Sequence, residues 1–135
     1  MQAPITDIDP FDLPEWLGTA DVVWCADGGL RSGHLARGRL SADGESDLVC
    51  DLLAVDEAYP APVVDDASRS RVHQAWRHGQ VVIGEVDGRM VLAVPGTRLD
   101  PDLVLDALGR LARAVGAHAW SYAALLRLSE SRAGG

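Results

Sequence analysis

Arg69, His73 and Arg77 recur at i, i+4 and i+8, a spacing that lines three basic side chains along one helix face. Arg71 and His78 flank them. Arginine and histidine in that pattern grip carboxylates or phosphates through charge-assisted hydrogen bonds. The stripe would suit an acidic segment of another protein, or a small anionic ligand. The plainer reading is a solvated helix face balanced by Asp65, Asp66 and Glu85. Exposed charges of that kind carry little energy, and this plainer reading is the heavier of the two.

The remaining reactive residues assemble into less. Cys25, Cys50 and His34 are three zinc-compatible ligands. They lack the local CxxC or HxxxH spacing that structural zinc sites show, and free cysteine in a strand is most often simply buried. Neither cysteine lies in a nucleophile setting, and no GxSxG elbow is present. Gly28, Gly29 and Gly33 follow a strand, but no helix opens there to supply the N–H groups of a phosphate cradle. Tight turns explain these glycines better. The expectation is a chain with no catalytic residue, no metal and no cofactor. Four tryptophans stand beside a single phenylalanine. Trp16, in a short element near the start, is the one best suited to anchor a partner.

Composition narrows the classes. The chain has 135 residues, enough for one domain with an ordinary core. The expected division is a flexible tail over 1–10, one domain over 11–130 and a second tail over 131–135. A formal net charge of −8 argues against nucleic acid and against an anionic membrane surface. No apolar run reaches transmembrane length. The acidic opening MQAPITDIDPFDLPEW lacks the pattern of a signal peptide, so a cytoplasmic location is expected. All 12 basic residues are arginine, which with the abundant Ala, Gly, Asp and Val points to a high-GC bacterial genome.

The elements that must position these residues follow from periodicity. A short helical turn is expected over 12–18, pinned by Phe11, Leu13, Trp16 and Leu17. Strands are expected over 20–26, 33–42 and 47–55, the last two joined by an Asp43-Gly44 turn. A helix capped by Asp65 or Asp66 runs to Arg77 or His78 and stops at Gly79, burying Val72, Ala75 and Trp76. Asp87-Gly88 then sets a two-residue type I′ hairpin in which Val86 opposes Arg89 and Val82 opposes Ala93. That register puts Val81, Ile83, Met90, Leu92 and Val94 on one face. Val82, Gly84, Val86, Val91 and Ala93 fall on the other. A hairpin with one wet face should alternate apolar and polar, whereas this one is apolar on both. The following helix, capped by Asp100 with Pro101 first and stopped by Gly116, covers one face with Val104, Leu108, Leu111 and Val115, widened by Leu105 and Ala112. The second face calls for another layer or another subunit, so Val82, Val86, Val91 and Ala93, or else the opposite hairpin face, are the expected homodimer interface. Residues 117–128 read as helix on Ala and Leu propensity, with a strand as the alternative because His118, Trp120 and Tyr122 alternate. The fold class is α+β: an antiparallel sheet, made of a three-strand meander plus a hairpin, packed against two or three helices.

That order of elements resembles the small acidic type III secretion chaperone-like fold. The segment EVDGRMVLAVPGTRLDPDLVLDALGRLARAVG is similar to its last hairpin and helix in having a DG turn, a strand, a Pro-Gly break and an Asp-capped, Leu-rich helix. The resemblance implies a homodimer that binds other polypeptides and catalyses nothing; it assigns no individual residue. The expected function is a protein-binding, adaptor or chaperone-like module. The alternative is a small-molecule sensor or enzyme using the Arg69, His73 and Arg77 face.

Overall fold

A computed structural model describes residues 4–30, 34–56 and 64–127. The chain is α+β, but its strands form two sheets, one of five strands and one of four. In order they are β1 (Thr6–Asp7), a 3-10 turn (Pro10–Asp12), α1 (Trp16–Thr19), β2 (Val22–Ala26), β3 (Leu35–Ala36), β4 (Gly38–Ser41), β5 (Leu48–Val49), β6 (Asp51–Val55), α2 (Asp66–Arg77), β7 (Val82–Val86), β8 (Arg89–Pro95), α3 (Pro101–Ala114), a second 3-10 turn (Ala119–Ser121) and β9 (Tyr122–Leu125). The large sheet runs β1-β7-β8-β6-β3 and the small one β5-β4-β2-β9.

The Asp87-Gly88 hairpin forms with the register its turn dictates: Val82 opposes Ala93, Gly84 opposes Val91 and Val86 opposes Arg89. Both turn residues have positive φ, 56° and 76°, as a type I′ turn requires. Helices α2 and α3 end alike. Gly79 and Gly116 take left-handed φ, and the residue after each donates back to Ala75 O and Ala112 O respectively, closing a Schellman motif. Asp65 caps α2 by accepting from Ser68 N, and Asp100 caps α3 by accepting from Leu103 N. The side chain and backbone of Ser68 hold the Asp65 carboxyl below the usual carboxylate range.

Two parts of the expected architecture change. The sheets are mixed rather than antiparallel, because β6 pairs with β8 in parallel and β2 with β9 in parallel. The meander is real in the small sheet, where β2 pairs with β4 and β4 with β5. Its last strand then leaves. The hairpin over 35–53 keeps one register throughout, from Leu40 opposite Leu48 to Leu35 opposite Leu53. It bends at Gly38 and Cys50, so that its tip belongs to the small sheet and its base to the large one. Such corners are where strands switch sheets. Here the corner is held by Cys50 N donating to Gly38 O and by Gly38 N donating to the buried Asp51 carboxylate. Arg89 on β8 closes on the same carboxylate at 2.7 and 3.0 Å, which holds its guanidinium above the ordinary arginine value. A parallel pair needs a crossover, and α2 with β7 provides it between β6 and β8.

Residues 119–125 are a 3-10 turn and a strand, not a helix. Pairing with β2 and burial of Tyr122, whose hydroxyl donates to Leu17 O, outweigh the helical propensity of the alanines and leucines. The 4–10 segment, expected as a tail, is packed instead: Ile5 is 3% exposed and Thr6–Asp7 pairs with β7. The N-terminal pin is Leu17, fully buried, with Leu13 and Trp16 half-buried; Phe11 is 95% exposed and pins nothing. In α3 the buried stripe is Val104, Ala107, Leu108, Leu111 and Ala112, while Leu105 faces out.

The layers explain the two-sided hairpin. Ile83, Met90, Leu92 and Val94 join Trp24 and Leu40 of the small sheet and the α3 stripe in the main core. On the opposite face Val91 and Ala93, with Val82 and Val86 beside them, pack with Ile5, Leu53, Val55, Val64 and Val72 of α2. Both covers come from this chain. Of the residues assigned above to a homodimer interface, Val91 and Ala93 are interior, 2% and 1% exposed, while Val82 and Val86 are half-buried. The sequence showed correctly that a second layer was needed; α2 is that layer.

Candidate functional site

The basic stripe does not act as one surface. Arg69 is turned against the body, its side chain 12% exposed, with Nη2 on Asp66; its Nε and Nη1 have no partner among the described residues. His73 hydrogen-bonds Val55 O through Nε2 at 3.0 Å, which places the proton on Nε2 because a carbonyl only accepts. Arg77 is exposed. His73 is thus drawn to β6 and Arg69 is mostly buried beside its own helix, while Arg77 alone of the three is exposed. Trp16 is half-buried against the main core and is not an exposed anchor. Val91 and Ala93 are buried in the cluster that includes Val72 of α2, and Val82 and Val86 are half-buried against it.

A different cationic site forms where both long helices end. A groove of about 690 Å³ opens between the C-terminal halves of α2 and α3, floored by Val81, Val82 and Ile83 and rimmed by Asp7, Ile8 and Pro10. Arg71, Arg110, Arg113 and His78 line it, against the single carboxylate of Asp7. The convergence has a physical cause. Helix C-termini expose carbonyls and carry negative partial charge, which favours nearby cations. Arg110 donates to Trp76 O at 2.7 Å and Gln80 O at 3.1 Å, and Arg113 to Gly79 O at 3.3 Å. Arg110 also stacks 3.4 Å from the Trp76 ring centroid, a cation–π contact that fixes its plane. Asp106 braces it from one turn earlier. Arg71, from the middle of α2, donates to both Asp7 oxygens at 2.8 and 2.9 Å and to Ile5 O at 2.8 Å.

This arrangement can hold negative charge at the edge of an apolar floor. Among the described residues no nucleophile–base pair lines it. Arg71 and His78 were visible in the sequence as flanking residues of the stripe. Arg110 and Arg113 carried only the signal of cations in the last turns of a helix. Asp7 carried no signal at all, because its role depends on where the 4–8 segment lies.

The sulfur residues are apart from the groove. Cys50 is wholly buried, and burial, reinforced by the neighbouring Asp51 charge, pushes its thiol pKa up. Cys25 is half-buried, and both are free thiols. Among the described residues no group of three or more His, Cys, Asp or Glu is placed to hold a metal ion. Gly28 and Gly29 form a bend after β2 and Gly33 lies outside the described residues. Among the described residues no helix is long and apolar enough to cross a membrane. No protein family, no curated protein and no solved structure matches this chain.

Proposed function

We propose that this chain is a cytoplasmic, non-enzymatic binding module that takes an acidic segment of another protein in the groove between α2 and α3. One observation carries the reading: three arginines and a histidine converge on an apolar floor in a chain whose net charge is −8. A basic groove on an acidic protein selects an acidic partner through complementarity and repels most others. The chaperone-like resemblance points the same way, although the mixed sheets and β9 depart from its order. Two free thiols suit a reducing compartment.

Calorimetric titration with an Asp- and Glu-rich peptide tests the proposal. Binding should weaken with rising salt, since the contacts are partly exposed. Arg113→Glu should weaken it at least about tenfold, or about 1.4 kcal/mol. Binding that ignores both salt and Arg113→Glu would overturn the reading. The groove also falls in the volume range of small-molecule sites. A small dicarboxylate that displaces the peptide at submillimolar concentration would favour that second reading.

A further inference from the structure

The rim of the groove is made by the chain's own 4–8 segment, and the way it is held amounts to a recognition pattern. Its backbone lies antiparallel on β7, with Thr6 opposite Glu85, Asp7 opposite Gly84, and Ile8 N donating to Ile83 O at 3.0 Å. Its side chains alternate. Ile5 is buried on the α2 side, among Val55, Val72 and Val91. Asp7 emerges on that same side and meets Arg71. Ile8 turns to the opposite side and packs on the main core. Two more contacts fix the start of the strand: Ile5 N donates to the buried Ser68 hydroxyl at 3.0 Å and Arg71 Nη2 donates to Ile5 O at 2.8 Å.

We propose that the β7 edge is a strand-docking site, that residues 4–8 are its resident occupant, and that a partner segment of the pattern apolar, any, acidic, apolar replaces them. This rests on the groove reading above and adds how that site is gated. A sheet edge offers unpaired N–H and C=O groups to any extended chain, and side-chain pockets choose among candidates. Here the choosers are the Ile5 cavity and Arg71. Two features of the resident favour exchange. Its strand is two residues long. Its ion pair is open to water, with side-chain exposures of 41% for Arg71 and 70% for Asp7. An incoming segment would run on past Ile8 toward Arg113, where additional carboxylates gain partners that the resident does not use. Residues 4–8 thus compete with the partner and set a threshold for its binding.

The test uses the full chain and a fluorescent peptide copying residues 4–10, PITDIDP. Three proteins are compared by anisotropy: wild type, Asp7→Asn, and a Thr6→Cys/Glu85→Cys variant in a Cys25→Ser background, read both oxidised and reduced. Loss of the resident's ion pair should tighten peptide binding about fivefold in Asp7→Asn, the upper range for an exposed pair. The oxidised variant should not bind, and reduction should restore binding; the reduced form is the folding control. Equal binding by the oxidised and reduced forms, or no gain in Asp7→Asn, would overturn the proposal. So would a concentration-dependent dimer of Asp7→Asn in light scattering that the peptide dissolves, since it would make a second copy the occupant. The groove reading fails separately: it is lost if acidic-peptide binding ignores both salt and Arg113→Glu, whatever the strand peptide does.

Discussion

Trp24 has no exposed surface and donates its indole N–H to Cys50 O at 2.7 Å. Its ring lies against Gly38, where a Cβ would sit inside the ring atoms and against Cys25 O. The bend that sends one hairpin into two sheets therefore depends on a glycine under a tryptophan. Gly38→Ala should cost about 1–3 kcal/mol, the range for overpacking a filled core, measured as a lowered urea midpoint with an unchanged m-value. Gly84 is used in a similar way: a Cβ there would strike Ile5 and Thr6 O, so its absence is what lets β1 approach. At this scale the sequence disclosed caps and stops, because their partners are three or four residues away. It could not disclose that Asp51 would be buried against Arg89, or that Asp7 would meet Arg71, because those pairs are 38 and 64 residues apart.

Among elements, α3 was the most legible. Asp100, Pro101 and Gly116 mark its ends by local hydrogen bonding alone, and Asp100 accepts from Leu103 N at 2.8 Å. Asp100→Ala should destabilise the protein by about 1 kcal/mol, seen as a shift in the denaturation midpoint without loss of the folded spectrum. The β7–β8 hairpin was equally legible, since a type I′ turn fixes both register and facing. Helix α2 was read correctly in extent, and of its expected buried side Val72 is buried while Ala75 and Trp76 are half-buried. Spacing showed that Arg69, His73 and Arg77 share a face; it could not show that His73 would bond Val55 O of β6 while Arg77 stays exposed. For β9 the local signal pointed the wrong way, because alanine and leucine favour helix until a strand such as β2 offers a paired edge.

At the scale of the whole molecule, the Cys50 thiol and the Tyr122 hydroxyl sit in the interior as neutral species. Burial raises the pKa of the Cys50 thiol and of the Tyr122 hydroxyl. In the unfolded chain they ionise near about 8.5 and about 10. Their contribution to stability is therefore complete below about pH 8.5 and is lost as pH rises, because only the unfolded state releases these protons. Stability should be flat in this respect from pH 7 to about 8.5. It should then fall by about 1.4 kcal/mol per pH unit for Cys50 alone, with Tyr122 adding to the slope above about pH 10. Urea titrations across pH 7–10.5 check this. In Cys50→Ala the fall should begin only near about pH 10; a decline from pH 8.5 of the same slope would show that the thiol is not its source.

The sequence by itself determined what local geometry can dictate: an α+β chain, both long helices with their caps and stops, the hairpin with its register, and the need for a second cover on its apolar face. Only the tertiary structure decided who supplies that cover. Helix α2 and Ile5 do so from within the chain, burying Val91 and Ala93 and half-burying Val82 and Val86. The tertiary structure also decided which cations meet. The arginines of the groove come from the middle of α2 and the end of α3, and Arg110 and Arg113 meet the α2 end by reaching the carbonyls of Trp76, Gly79 and Gln80. Side-chain spacing within one helix is fixed by 3.6 residues per turn, whereas proximity between helices follows from the burial of both apolar stripes, and that is settled by the whole chain at once.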